Sequence, residues 1–146
     1  MNWFDFQESA RAVMSATLGV ELCERKIPNF PKKFDMVSPE FQCVGDAKYL
    51  TLVRGKRTPS AKLMEIAGHV WLLERVPAKR RFLVFGNQRE VPELWLKRYR
   101  TLLTVVEFYF LSEGGSLKLL CQPKRISRAS EKKTTGLPPV SAVGKP

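Results

Sequence analysis

Residues 34–48 read Phe34-Asp35-Met36-Val37-Ser38-Pro39-Glu40-Phe41-Gln42-Cys43-Val44-Gly45-Asp46-Ala47-Lys48. An apolar run holding one acid is followed by a Ser-Pro-Glu turn, then by a second apolar run carrying acid-x-Lys. Turn residues between two β-prone runs predict a hairpin. Alternate side chains of an extended strand share a face. Asp46 and Lys48 therefore point the same way and Ala47 points away, while Asp35 stands on the preceding strand. Two carboxylates and one ammonium can thus converge on one spot. Carboxylates at that spacing repel unless a cation sits between them, and oxygen ligands of this kind suit Mg²⁺ or Mn²⁺.

Outward from the hairpin, the pattern alternates between helical and extended spacing. Residues from about Trp3 to Thr17 carry Phe6, Ala10, Val13, Met14 and Leu18 at helical intervals, and Leu18-Gly19-Val20 ends that helix. Glu21 to Lys26 reads as a short strand, and Pro28 and Pro31 break the pattern before the hairpin strands Phe34–Val37 and Phe41–Val53. A basic loop, Arg54 to Pro59, leads to a helix from Ser60 to about Arg75, with Leu63, Ile66, Ala67, Val70, Trp71 and Leu73 expected to face inward. Arg81 to Phe85 has the apolar core of a central buried strand. Pro92 suits a helix start, and Pro92 to Leu103 follows as helix. Val105–Leu111 and Ser116–Leu120 are the last strands, turned by Gly114-Gly115. The expected order is α-β-β-β-α-β-α-β-β. The strand after the long helix should run parallel to the Asp46 strand through a right-handed crossover. The fold class is therefore α/β, a mixed sheet flanked by helices.

A chain of 146 residues with 44% hydrophobic content is the length of one domain with a proper core. No apolar run approaches the length of a membrane span, and Met1-Asn2-Trp3-Phe4-Asp5 lacks the layout of a secretory signal. Three widely spaced cysteines, Cys23, Cys43 and Cys121, fit neither a disulfide framework nor a zinc site, so a reducing, cytoplasmic setting is expected. The 25 Lys and Arg against 14 Asp and Glu give a net charge of +11, which points to a polyanionic partner, nucleic acid first. From Cys121 onward the chain holds six Lys and Arg and one acid, so about +5 lies there and about +6 in the rest. The expected organisation is a folded domain over 1–121 and a basic, disordered tail over 122–146.

This order of elements with these residues resembles the PD-(D/E)XK nuclease superfamily, also called restriction-endonuclease-like. Phe34-Asp35 stands in place of its Pro-Asp dipeptide, and Asp46-Ala47-Lys48 matches its (D/E)XK element. Glu8 matches the acid on its first helix. Phe34 is a departure, at a position where proline contributes backbone shape rather than chemistry. The resemblance spans roughly residues 3–120 and implies a Mg²⁺- or Mn²⁺-dependent nuclease acting on nucleic acid, most naturally DNA. It implies that Asp35 and Asp46 hold the metal with the backbone carbonyl of Ala47, and with Glu8 through water. The metal would polarise the scissile phosphate and lower the pKa of bound water, while Lys48 orients that water and stabilises developing charge.

The plainer reading of the same residues is an ion pair between Asp46 and Lys48 on an edge strand, with Asp35 capping a turn. A non-catalytic nucleic-acid-binding module on the same fold is the alternative function, and three intact site residues favour the enzyme over it. Arg54, Lys56 and Arg57 in the basic loop, with Gln88 and Arg89 after the buried strand, are candidate contacts to phosphate or base. His69, the single histidine, reads as a polar-face or satisfied core residue, without a second His to make a zinc site. Trp3, Trp71 and Trp95 read as core rather than as base-stacking platforms. With no separate recognition domain at this size, a homodimer or a larger assembly is expected for double-strand cutting.

Overall fold

Phe82, Leu83, Val84 and Phe85 are all shut off from solvent, so the strand that carries them must be covered on both faces. The computed structural model describes residues 1–51 and 60–123. Its elements are α1 (Trp3–Leu18), β1 (Cys23–Lys26), β2 (Lys33–Val37), β3 (Cys43–Leu50), α2 (Ser60–Arg75), β4 (Arg80–Asn87), α3 (Glu90–Tyr99), a 3₁₀ turn (Arg100–Leu102), β5 (Val106–Leu111) and β6 (Leu117–Cys121). The six strands form one mixed sheet in the order β1-β2-β3-β4-β5-β6. β3, β4 and β5 are parallel neighbours, and the pairs β1–β2, β2–β3 and β5–β6 are antiparallel. The expected α/β class and the parallel pairing of the Asp46 strand with β4 are both present.

Alternation along β4 divides the core. Leu83 and Phe85 join Leu63, Ile66, Leu73 and Trp95 beneath α2 and α3. Phe82 and Val84 join Phe6, Ala10 and Met14 beneath α1. Two glycines let the α1 layer close. A side chain on Gly45 would overlap the Phe82 ring, and one on Gly86 would overlap the Phe6 ring. Asn2 caps α1 by accepting from the Asp5 N–H at 2.8 Å, and Gly19 ends the helix in the left-handed region at φ 69°.

The hairpin forms as its turn residues dictate. The Ser38 hydroxyl accepts from the N–H groups of Gln42 and Cys43, and the Ser38 N–H donates to the Cys43 carbonyl at 3.0 Å. Three details differ from the sequence expectation. α3 starts at Glu90, so Pro92 is its third residue, still within the turn whose N–H groups need no partner. Its last turn tightens into the 3₁₀ segment. Of the three tryptophans only Trp95 is core: Trp3 is 52% exposed and Trp71 is 55% exposed. Trp71 is covered instead by Arg75, one helical turn on, whose guanidinium lies 3.9 Å from the ring centroid. The three cysteines are free thiols, Cys43 buried and Cys23 and Cys121 half-buried. Among the described residues no helix is long and apolar enough to cross a membrane.

Candidate active site at the fork of β2 and β3

β2 does not pair with β3 along its whole length. The register holds at Met36–Gly45 and Val37–Val44 and then stops. On the other side of β2, Cys23 pairs with Val37 and Arg25 with Phe34, so one residue of β1, Glu24, opposes two of β2, Asp35 and Met36. That is a β-bulge, one extra residue in the Phe34–Val37 stretch. Its effect is visible in the packing: Phe34 and Val37, three residues apart, both sit beneath α2 and α3, while Met36 lies beneath α1. The β2–β3 ladder stops beside this bulge, and Asp35 stands at the fork where the pairing ends.

Side chains take over the ladder inside the fork. The Ala47 N–H donates to Oδ2 of Asp35 at 2.8 Å, and the Asp35 N–H donates to Oδ1 of Asp46 at 2.9 Å. The two acids are thereby interlocked, each carboxylate bound to the backbone of the other strand. From α1, Gln7 donates to Oδ1 of Asp35, and Arg11 Nε donates to the Asp35 carbonyl at 3.1 Å. From the loop before β2, the Lys32 ammonium meets Oδ2 of Asp46. From α2, His69 Nδ1 lies 3.1 Å from that same oxygen. Lys48, on the face it shares with Asp46, brings its ammonium to His69 Nε2 and to within 3.5 Å of Glu65 Oε2. Asp46 accepts at Nδ1 of His69, which assigns the Nδ1–H tautomer and leaves the Nε2 lone pair facing Lys48.

The electrostatics follow from burial and neighbours. Burial alone would push the Asp46 carboxyl up. The donors around it, His69, Lys32 and the Asp35 N–H, outweigh that and hold it below its usual range. Asp35 is pushed up, first by burial and then by the Asp46 charge, against the Ala47 N–H and the two lysines. Burial lowers Lys48, with Lys32 adding to the effect, while Asp46, Glu65 and Asp35 oppose it. Two carboxylates at one fork thus have different proton affinities, and the ammonium beside them is destabilised in its charged form.

The structure brings Asp35, Asp46 and Lys48 together as their spacing predicts, with the Ala47 side chain on the opposite face. Glu8 has no direct contact with them: its side chain is exposed on α1 and makes no hydrogen bond or ion pair with the described residues. Its neighbour Gln7, 5% exposed, faces Asp35 instead, because successive residues on a helix point about 100° apart. Arg89 is paired with Glu93 at 2.8 Å and lines a cavity with Arg100 and Lys118, on the β6 side of the sheet. Gln88, beside it, makes no hydrogen bond to a fork residue. Arg54, Lys56 and Arg57 lie outside the described residues. Sequence reasoning missed Gln7, Lys32 and the placement of His69. Gln7 left a signal, a polar residue on the apolar stripe of Phe6, Ala10 and Met14. Glu65 and His69 left a fainter one, two polar residues four apart on the helix that crosses over β3.

A divalent cation is a reasonable fit to the donor chemistry. Asp35, Asp46 and the Ala47 carbonyl, which leaves the strand on the same edge as the N–H given to Asp35, make an all-oxygen set. Among the described residues no group of three or more His, Cys, Asp or Glu is gathered to hold a metal, so a cation here would rest on two carboxylates. It would also displace the Lys32 ammonium from Oδ2 of Asp46. No protein-family model, curated protein or solved structure matches the chain.

Proposed function

We propose that the chain is a nuclease of restriction-endonuclease-like fold that hydrolyses phosphodiester bonds of nucleic acid, most naturally DNA, with Mg²⁺ or Mn²⁺. The observation that carries this is the fork itself, where two interlocked carboxylates and a partly buried ammonium meet at a break in the β2–β3 ladder. Asp35 and Asp46, with the Ala47 carbonyl, would hold the cation, which supplies charge relief at the phosphate and an acidified water. The chain's own residues do the rest. His69 holds the Lys48 ammonium in place, and Asp46 holds His69. Lys48 then stands ready to steady charge that develops on the phosphoryl oxygens. Lys32, freed from Asp46, would be a second cation at the entrance. The excess of basic residues, +11 over the chain, supports a polyanionic substrate.

One observation favours a second reading, a binding module without turnover. Every carboxylate oxygen at the fork already has an N–H partner, and Lys32 neutralises Asp46 from within. The two readings part in a cleavage assay on labelled single- and double-stranded DNA and RNA, with Mg²⁺, Mn²⁺ or chelator. The nuclease should cut at least one substrate with metal and none with chelator. Binding that persists in every arm without a cut would establish the module.

A further inference from the structure

Arg89, Glu93, Leu96 and Arg100 recur at intervals of four, three and four residues, so they form one stripe along α3. Across a groove of about 320 Å³ that stripe meets Lys118 and Leu120 of β6. A second cavity adjoins it on α3 and adds Lys97 and Arg98. Between them the two are lined by five Lys and Arg and one acid, a net of +4. All the described residues together hold 16 Lys and Arg against 13 Asp and Glu, a net of +3. The remaining described residues therefore net −1. The one acid of the groove, Glu93, is already met by Arg89 at 2.8 Å. Lys97, Arg98, Arg100 and Lys118 are exposed, and their side chains make no hydrogen bond or ion pair with the described residues.

The sheet fixes where this charge lies relative to the fork. Lys48 pairs with Phe85, Phe85 with Phe110 and Phe110 with Lys118, so the two lysines stand on one row of the sheet. Three strand spacings of about 4.8 Å set them roughly 14 Å apart. They also share a face. Lys48 reaches His69 on α2, and Leu120, two residues from Lys118, packs into the core beneath α2 and α3.

We propose that this groove grips the sugar-phosphate backbone of the nucleic acid whose scissile phosphate lies at the fork. The inference rests on the nuclease reading for what the fork does, and it adds the path that the substrate takes. Shape and charge decide the occupant. Unpaired cations gathered in a cleft attract a polyanion, and release of its counterions supplies affinity. Arg89 and Arg100 stand about 16 Å apart along the helix axis, a length that spans roughly five phosphates of one strand. A bilayer surface is flat and does not enter a groove between a helix and an edge strand. A single small anion would leave most of the four unpaired cations without counter-charge. The contact is to phosphate, so it holds any sequence and specifies none.

The experiment measures affinity in chelator, by fluorescence anisotropy of a labelled DNA duplex of about 20 base pairs and of its single strand, from about 50 to 200 mM KCl. Arg100→Gln and Lys118→Gln should each flatten the plot of log affinity against log salt by about 0.7–0.9, and the double variant by about twice that. At about 100 mM salt the double variant should bind on the order of tenfold more weakly. Arg100→Lys should keep the wild-type slope, because the charge remains. Lys26→Gln removes one exposed charge from β1, at the other edge of the sheet, and should leave the slope unchanged. An unchanged slope in the double variant, or an equal flattening by Lys26→Gln, would overturn the groove. So would a double variant that holds DNA as wild type does and loses only poly-glutamate or phosphatidylserine vesicles. Cleavage separates this from the nuclease reading. If the wild type cuts with Mn²⁺ while the double variant keeps the wild-type slope, the groove alone falls. If the wild type cuts nothing while the slope flattens, the nuclease reading falls and the groove stands as a binding surface.

Discussion

Asp46 is 1% exposed, and the donors around its carboxylate keep it charged against that burial. Its Oδ1 takes the Asp35 N–H, and its Oδ2 takes Lys32 and His69. Replacing it by Asn keeps one acceptor and removes the charge. Asp46→Asn should therefore destabilise the fold by about 1–3 kcal/mol at neutral pH. The sign of the pH dependence follows from the depressed folded value. A carboxyl held below its unfolded value, near 3.9, contributes stability fully above that pH and loses it as pH falls through the folded value. The gap between wild type and Asp46→Asn, measured by urea denaturation, should close below about pH 3.9; a gap independent of pH would mean the charge is not what matters. Lys32 leads to a different test. Its ammonium occupies the oxygen that a divalent cation needs, so Lys32→Gln should bind Mn²⁺ more tightly, on the order of tenfold by calorimetry. Equal or weaker binding in the variant would show that Lys32 does not compete there.

At the scale of elements, the site depends on α1 lying close to the sheet, and Gly86 is where that closeness is decided. A methyl there would run into the Phe6 ring, which is buried at 2% exposure. Gly86→Ala should cost about 1–3 kcal/mol in overpacking and lift Gln7 from Asp35. Gly68, on the exposed side of α2, has nothing within 4 Å of an added Cβ. Gly68→Ala should instead stabilise the protein by about 0.5–1 kcal/mol, through helix propensity alone. If both variants shift the denaturation midpoint the same way, the close approach of α1 has been misread. The elements themselves were largely legible. Apolar spacing marks α1, α2 and β4 because burial repeats with the geometry of each element, and the Ser38-Pro39-Glu40 turn marks the hairpin. Period-two spacing likewise put Asp46 and Lys48 on one face. The bulge in β2 was not legible, since an extra residue leaves no mark on an apolar run. Lys32 and His69 were also out of reach. They come to Asp46 from 14 and 23 residues away, through a loop and a crossover helix whose approach is set by tertiary packing. Trp3 and Trp71 were misjudged for a related reason: helical spacing gives the angle around the axis but not where the sheet beneath it ends.

For the whole molecule, charge and the fork must act together. About +5 of the charge lies from Cys121 onward, all of it beyond the described residues, so its contribution follows from composition alone. Ending the chain after Pro123 should leave the melting temperature unchanged and flatten the salt dependence of DNA binding, because fewer counterions are released. An identical salt slope would show that the tail does not touch the polyanion. The central claim, that the fork cuts phosphodiester bonds, is tested most directly by Lys48. Burial has already weakened the hold on its proton, and a binder would use it as one charge among many. The measurement is single-turnover cleavage of labelled DNA with Mn²⁺ by wild type, Lys48→Ala and Lys48→Arg, with affinity measured separately in chelator. The account predicts that Lys48→Ala loses about 100- to 1,000-fold in rate while binding nearly as well. Lys48→Arg should fare no better, because a planar fork does not replace a compact ammonium. A wild type that binds without cutting, or a Lys48→Ala variant that cuts as fast as wild type, would contradict it.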